Sequence, residues 1–283
     1  EPNEHWRSSE GRTIANRHSP DDYWLSGSYA LLDSASGRTI IPYGVYESIK
    51  PFRNGFAEVW LPAPEPEGEQ TLGFINRAGA LVFTLPLGSH VFDNYFSEGL
   101  IAVNTDRVPS EPGYWSGKYY ITWYDTTGRV VMENRKIEKA LPFQHGRAFV
   151  GQIRDWILID RSGKRLGKNR FVWIKDTDFS QNFVLVAANV KPEKLQSGKL
   201  RALVRYGLRR YNEYLSVAPT EKWGAIDSLG EFIILPQFDK ILDIGFQSEG
   251  MLVAIADSVL RKQHRDLYTG LSYQWGLVDR QGK

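Results

Sequence analysis

A block that begins at Lys222 recurs along this chain, and the recurrence constrains the fold more than any single motif. It reads Lys-Trp-Gly-Ala-Ile-Asp227, Ser-Leu-Gly230 and Glu-Phe-Ile-Ile-Leu-Pro236, then runs on to Ser248-Glu-Gly250 and the alternating Met-Leu-Val-Ala-Ile255. An earlier copy has Leu72-Gly-Phe-Ile-Asn76, Gly79 and Phe96-Ser-Glu-Gly99-Leu-Ile-Ala-Val103. The first copy has Tyr29 to Asp33, Gly37, then Pro51-Phe52-Arg-Asn-Gly55 and Val59; the third has Ile121 to Asp125, Gly128, then Pro142-Phe143-Gln-His-Gly146. In the fourth, Trp156 to Asp160 with Gly163, Asn182 takes the place of the second glycine and also tolerates positive φ. A sixth starts at Gln274-Trp-Gly276, passes Asp279 and stops after Gly282.

Each copy reads as an aromatic strand ending in Asp or Asn, a turn whose glycine takes positive φ, a β-branched strand, and a Phe-x-x-Gly turn opening another alternating strand. The acid can bond backbone donors across its own turn. On this reading Gly79, Gly230 and Gly250 sit at positive φ. Copies start near 29, 72, 120, 155, 222 and 274, giving a repeat domain of 29–283. The segment 1–28 is a polar stretch or worn cap, in which Gly11-Arg-Thr-Ile14 echoes Gly37-Arg-Thr-Ile40.

These blocks resemble the WG-repeat (KWG) family of bacterial β-repeat proteins, whose pattern runs close to Trp-Gly-Phe-Ile-Asp, Gly, an apolar strand with Pro, and Phe-Ser-Glu-Gly-Leu-Ala-x-Val. The Trp-Gly pair itself survives at Trp223-Gly224 and Trp275-Gly276, and the other copies rest on spacing and turn residues. The resemblance implies an all-β repeat architecture and a binding role. It supplies no catalytic residues.

Composition agrees with many short strands: 14 Tyr, 14 Phe and 9 Trp stand beside 26 Gly and 14 Pro. The net charge of +2 gives no general reason to expect nucleic acid or an anionic membrane. Without cysteine there are no disulfides, thiolate metal sites or Cys nucleophiles. No apolar stretch approaches a transmembrane helix. Glu1 in place of Met reads as a cleaved or engineered start, and the abrupt stop at Lys283 reads as a chain that continues. The compartment expected is the bacterial periplasm or the exterior, with the cytoplasm as alternative.

Length variation falls between the last strand of one copy and the first of the next, at 60–71, 104–119, 151–155, 187–221 and 256–273. Stacked copies would bring these connectors to one loop-bearing edge. Within the insertion 187–221, Leu200, Leu203, Val204, Leu208, Tyr211 and Leu215 fall at helical spacing, and Arg201, Arg205 and Arg209, with Arg210, form a basic row. One short helix is predicted there. An extended hairpin is the alternative, because Gly207 disfavours helix. Partner contacts are assigned to Arg201, Arg205, Arg209 and Arg210, and to the aromatics Trp60, Tyr114 and Trp115.

A search for chemistry returns turn residues. His5, His18, His90, His145 and His264 have no metal-ligand spacing, and Asp176-Thr-Asp178 lacks the glycine and glutamate of a calcium loop. Ser97-Glu-Gly99 and Ser248-Glu-Gly250 lack the leading glycine of a nucleophile elbow, and Gly163 to Lys168 is too short for a phosphate loop. Asp33, Asp125, Asp160, Asp227 and Asp279 recur once per copy, which argues against an acid/base pair. Trp123, Trp156, Trp223 and Trp275 suit core packing better than sugar platforms.

The expectation is therefore an all-β tandem array of antiparallel units, open and superhelical, with a closed β-propeller as alternative. It would be a non-enzymatic binding or scaffold module with no cofactor and no metal. Its partner would be another protein, an acidic one given the basic insertion, and not nucleic acid. A carbohydrate or cell-wall binding module is the alternative.

Overall fold

The computed structural model describes residues 4–17, 28–64, 68, 70–91, 94–106, 119–175, 177, 179, 183–190, 221–241, 251–257 and 272–278. Their regular structure is strand throughout, in six small antiparallel sheets that follow one another in chain order. The first holds β1 (Glu4–Ser9), β2 (Arg12–Arg17), β3 (Ser28–Asp33) and β4 (Thr39–Ile41); the second β5 (Ser48–Ile49), β6 (Phe56–Leu61), β7 (Thr71–Asn76) and β8 (Leu81–Thr84). The third holds β9 (Ser89–His90), β10 (Leu100–Asp106), β11 (Tyr119–Asp125) and β12 (Val130–Asn134). The fourth holds β13 (Lys139–Ala140), β14 (Arg147–Gln152), β15 (Asp155–Asp160) and β16 (Arg165–Phe171). The fifth holds β17 (Trp173–Ile174), β18 (Phe183–Asn189), β19 (Glu221–Asp227) and β20 (Phe232–Phe238), and the sixth β21 (Lys240–Ile241), β22 (Met251–Asp257) and β23 (Ser272–Val278). The chain forms two compact units, Glu1–Phe143 and Gln144–Lys283.

A sequence copy and a sheet are out of phase. Copy 29–59 supplies the third and fourth strands of the first sheet and the first two of the second. The connectors between copies are thus hairpins between the second and third strands of a sheet, as where Leu61 pairs Thr71 and Asn189 pairs Glu221. The connector read as 151–155 shrinks to a tight turn at Ile153-Arg154, because β14 reaches Gln152 and β15 starts at Asp155. Strands also take in 187–189 and 221, so the long insertion narrows, and the helix predicted within it lies outside the described residues.

Residues 4–17 are a β-hairpin that supplies the first two strands of the first sheet. Its turn, Glu10-Gly11, has positive φ at both residues, as do Asn54-Gly55, Glu98-Gly99 and His145-Gly146. Paired positive φ is the type I′ geometry that suits the right-handed twist of flanking strands. Gly11 therefore corresponds to Gly55, and its echo of Gly37 is out of phase.

Within each unit, alternation along the strands places an apolar row between neighbouring sheets. In the first unit Ile14, Leu31 and Ile41 meet Ile49, Phe52, Val59 and Ile75; beyond them Leu72, Phe74 and Leu85 meet Phe96, Ile101, Val103 and Tyr124. In the second unit Leu185, Ala225, Ile234 and Phe238 pack with Val253. The phenylalanine before each second turn, Phe52, Phe96, Phe143 or Phe179, is at most 3% exposed. Each such ring contributes about 1.5–3 kcal/mol on removal from water.

Candidate functional site

Each of the first four sheets has two chemically different ends. At one end lie both glycine turns; at the other, the second strand passes through the connector into the third. The glycine end is occupied by structural bonds. Asp125 Oδ1 accepts from the Thr127 and Arg129 amides at 2.8 and 3.0 Å, Asp160 Oδ1 from Ser162 and Lys164 at 2.9 and 3.0 Å, and Asp227 Oδ1 from Leu229 and Glu231 at 2.8 and 2.9 Å. Asn76 Oδ1 does the same for Ala78 and Ala80. Hydroxyl bonds from Ser36, Thr127 and Ser162 hold Asp33, Asp125 and Asp160 below the ordinary carboxyl value. Asp279 lies outside the described residues.

Gly79 and Gly230 both have φ +81, while Gly250 lies outside the described residues. These first-turn glycines also seat one sheet on the one before. A Cβ at Gly79 would lie 2.7 Å from Ile40 Cγ2, at Gly128 2.4 Å from Phe83 Cγ, and at Gly230 3.0 Å from the Leu166 carbonyl. Arginine repeats the theme. Arg12 Nε donates to the Arg77 carbonyl, and Arg147 Nε to the Ser228 carbonyl, each reaching the corresponding turn of the following sheet. The Glu10 carboxylate accepts from the Asn54 and Gly55 amides and pairs with Arg77 at 2.7 Å. Ser97 Oγ donates to the Phe143 carbonyl, and Asn54 Nδ2 to that of Phe96.

Gly224, of the Trp-Gly pair, is also set by close approach. A Cβ there would lie 2.4 Å from the Ile234 carbonyl, where β20 bulges toward β19. Of the recurrent tryptophans, Trp123 is 1% exposed, while Trp156 and Trp223 are half-buried and Trp223 packs on the cluster around Ala225. His145 occupies a type I′ turn, and His90 lies on β9. Among the described residues no group of three His, Cys, Asp or Glu could hold a metal ion.

The connector end carries different chemistry in each unit. In the first, Trp60 near the end of β6 is half-buried against Leu72 and Phe74, and its indole N–H donates to Glu58. Burial pushes the Glu58 carboxyl above its ordinary value, against the pull of Lys50 at 4.0 Å and of the indole bond. Tyr114, Trp115, Arg201, Arg205, Arg209 and Arg210 lie outside the described residues. In the second unit a cluster surrounds the root of the long insertion. Glu221, 2% exposed, pairs with Arg154 and accepts the Trp173 indole N–H at 3.2 Å. The Arg154 guanidinium lies 5.4 Å from the Trp173 ring centroid. Trp173 is 42% exposed and Ile153 66%. Neighbouring Lys222 is buried on Asp239.

Trp173 is missing from the sequence-derived contacts because it sits on a two-residue strand, too short for any periodicity. One signal existed in register. Trp173 pairs with Ala187 of β18, where the second and third sheets place Ser48 and His90 against Trp60 and Asn104.

Comparison with known proteins places two of these copies. A family model described as "WG containing repeat" matches residues 29–59 and 223–255. No curated protein matches the chain. Among solved structures, BamB from Moraxella catarrhalis is 11% identical with a TM-score of 0.43, covering 96% of this chain and 69% of its own. A prolyl endopeptidase is 9% identical with a TM-score of 0.44, over 98% of this chain and 39% of that one. The WD40 domain of Neurospora crassa Pan2 is 11% identical with a TM-score of 0.37, over 99% and 82%.

Proposed function

We propose that this WG-repeat chain is a non-catalytic module that binds another macromolecule, in the first instance a protein, through the connector ends of its sheets. One observation carries the reading. The glycine ends repeat with nearly constant length and are occupied by bonds that join sheet to sheet, whereas the hairpins between second and third strands run from the two-residue turn at Ile153-Arg154 to the long segment between Asn189 and Glu221. Surface loops on a rigid frame are where recognition is free to diversify. The acids that recur once per copy, Asp33, Asp125, Asp160 and Asp227, each accept backbone amides of their own turns.

A second reading, binding of a glycan, is supported by Trp173, whose indole nitrogen is held by Glu221 while much of its surface remains open. The test replaces 62–69 and 191–219 with short Gly-Ser turns in the full chain. Crosslinked capture from extracts of the source organism is then compared alongside a glycan array. Capture lost with melting unchanged is expected. Capture that survives both replacements would overturn the connector reading, and glycan retention abolished by Trp60→Ala or Trp173→Ala would install the second.

A further inference from the structure

The balanced net charge conceals a division. Unit Glu1–Phe143 holds 13 Lys and Arg against 18 Asp and Glu, and unit Gln144–Lys283 holds 22 against 15. Part of the second unit's excess lies on the outer strand of the fourth sheet. Between Arg161 and Lys175 there are six basic residues and no acidic one.

Lys164, Arg165, Lys168 and Arg170 are all exposed along β16 and its hairpin turn. Arg170 is paired with Asp155 at 2.6 Å. Arg165 donates to the Asn169 carbonyl at 3.0 Å and to that of Lys168, and so stays on its own strand. Asp160 Oδ1 closes its turn while its charge acts on Lys164, and Glu231 of the fifth sheet faces Asn169 Nδ2 at 3.4 Å.

We propose that the exposed basic row Lys164, Arg165, Lys168 and Arg170 along β16 is a docking surface for an acidic, extended segment of a partner protein, recognised by side-chain charge. Backbone strand addition is disfavoured. β16 bulges between Leu166 and Phe171, Arg165 caps two of its carbonyls, and Asn169 reaches across to the Gly230 carbonyl at 2.8 Å. Nucleic acid is the poorer fit, because β16 offers no exposed aromatic for base stacking. The inference rests on the binding-module reading and specifies the chemistry of one partner.

The probe is a short fluorescein-labelled Glu-Ser repeat peptide, titrated into the full chain at low and high salt, with oligo-dT of equal charge in a parallel series. Binding at low salt that weakens at high salt is expected, as is a loss of at least about tenfold in Lys164→Glu/Lys168→Glu with melting unchanged. Lys164→Gln/Lys168→Gln should fall between. Equal affinity in the charge-reversed chain would overturn the proposal, as would tighter binding of oligo-dT. Aggregation of that variant with peptide affinity intact would also overturn it, by showing that the row only protects an edge. The chain with replaced connectors should still bind the peptide, so that failure here and failure of the connector reading are separable.

Discussion

Gly55 and Gly128 share a left-handed backbone, with φ of +88 and +84, but not a neighbourhood. A Cβ at Gly55 would meet nothing within 4 Å, whereas at Gly128 it would strike Phe83. Gly55→Ala should cost about 1–2 kcal/mol through φ alone, and Gly128→Ala about 1–3 kcal/mol more through overpacking. Urea midpoints check this, and equal losses would deny that the turn glycine seats one sheet on another. Carboxylates separate in the same way, by sign. Asp125 lies below its ordinary 3.8, so the stability it lends is full above the unfolded value and drains away as pH falls through the lowered folded one. Glu58 is raised above 4.5 by burial, so its ionised form costs stability near neutrality and protonation relieves that cost. Asp125→Asn should therefore flatten the acid limb of the melting curve below about pH 4. Glu58→Gln should raise Tm at neutral pH, with the difference vanishing as pH approaches that of free glutamate. A Glu58→Gln chain that melts lower at neutral pH would contradict the assignment.

At the scale of elements, sheets are joined by a few long reaches. Arg147→Ala removes a guanidinium that crosses from β14 to the turn after β19, and should cost about 1–2 kcal/mol; Arg12→Ala should do the same in the first unit. A thermal scan of each variant decides it. These arginines were invisible in sequence because their partners are backbone carbonyls 65 and 81 residues away. Periodicity and turn chemistry did locate the long strands from β3 onward and the positive-φ glycines Gly79 and Gly230. They could not place the two-residue strands β5, β9, β13, β17 and β21, since two residues carry no period. Nor did they find the phase between copy and sheet, which depends on which strands pair. That phase gives residues 4–17 their role. Deleting them removes β1 and β2 and bares the edge of β3, where Ala30 and Leu31 are buried, so the shortened chain should aggregate where the full chain does not. Light scattering on heating reads the outcome.

At the scale of the whole chain, the sheet and not the copy is the unit that can be cut out. A fragment 1–87 contains the first two sheets complete, whereas 1–66 ends after one full copy and leaves β6 without β7. The longer fragment should show strand circular dichroism and resist trypsin, and the shorter should not; the reverse would place the folding boundary at the copy. The half-step between copy and sheet also bears on heredity. Recombination between equivalent points of two copies joins the opening strands of a sheet from one to the closing strands from another. The product gains or loses one entire sheet, and because opening strands at the seam meet closing strands of the same kind, growth or shrinkage of the gene leaves no strand unmatched.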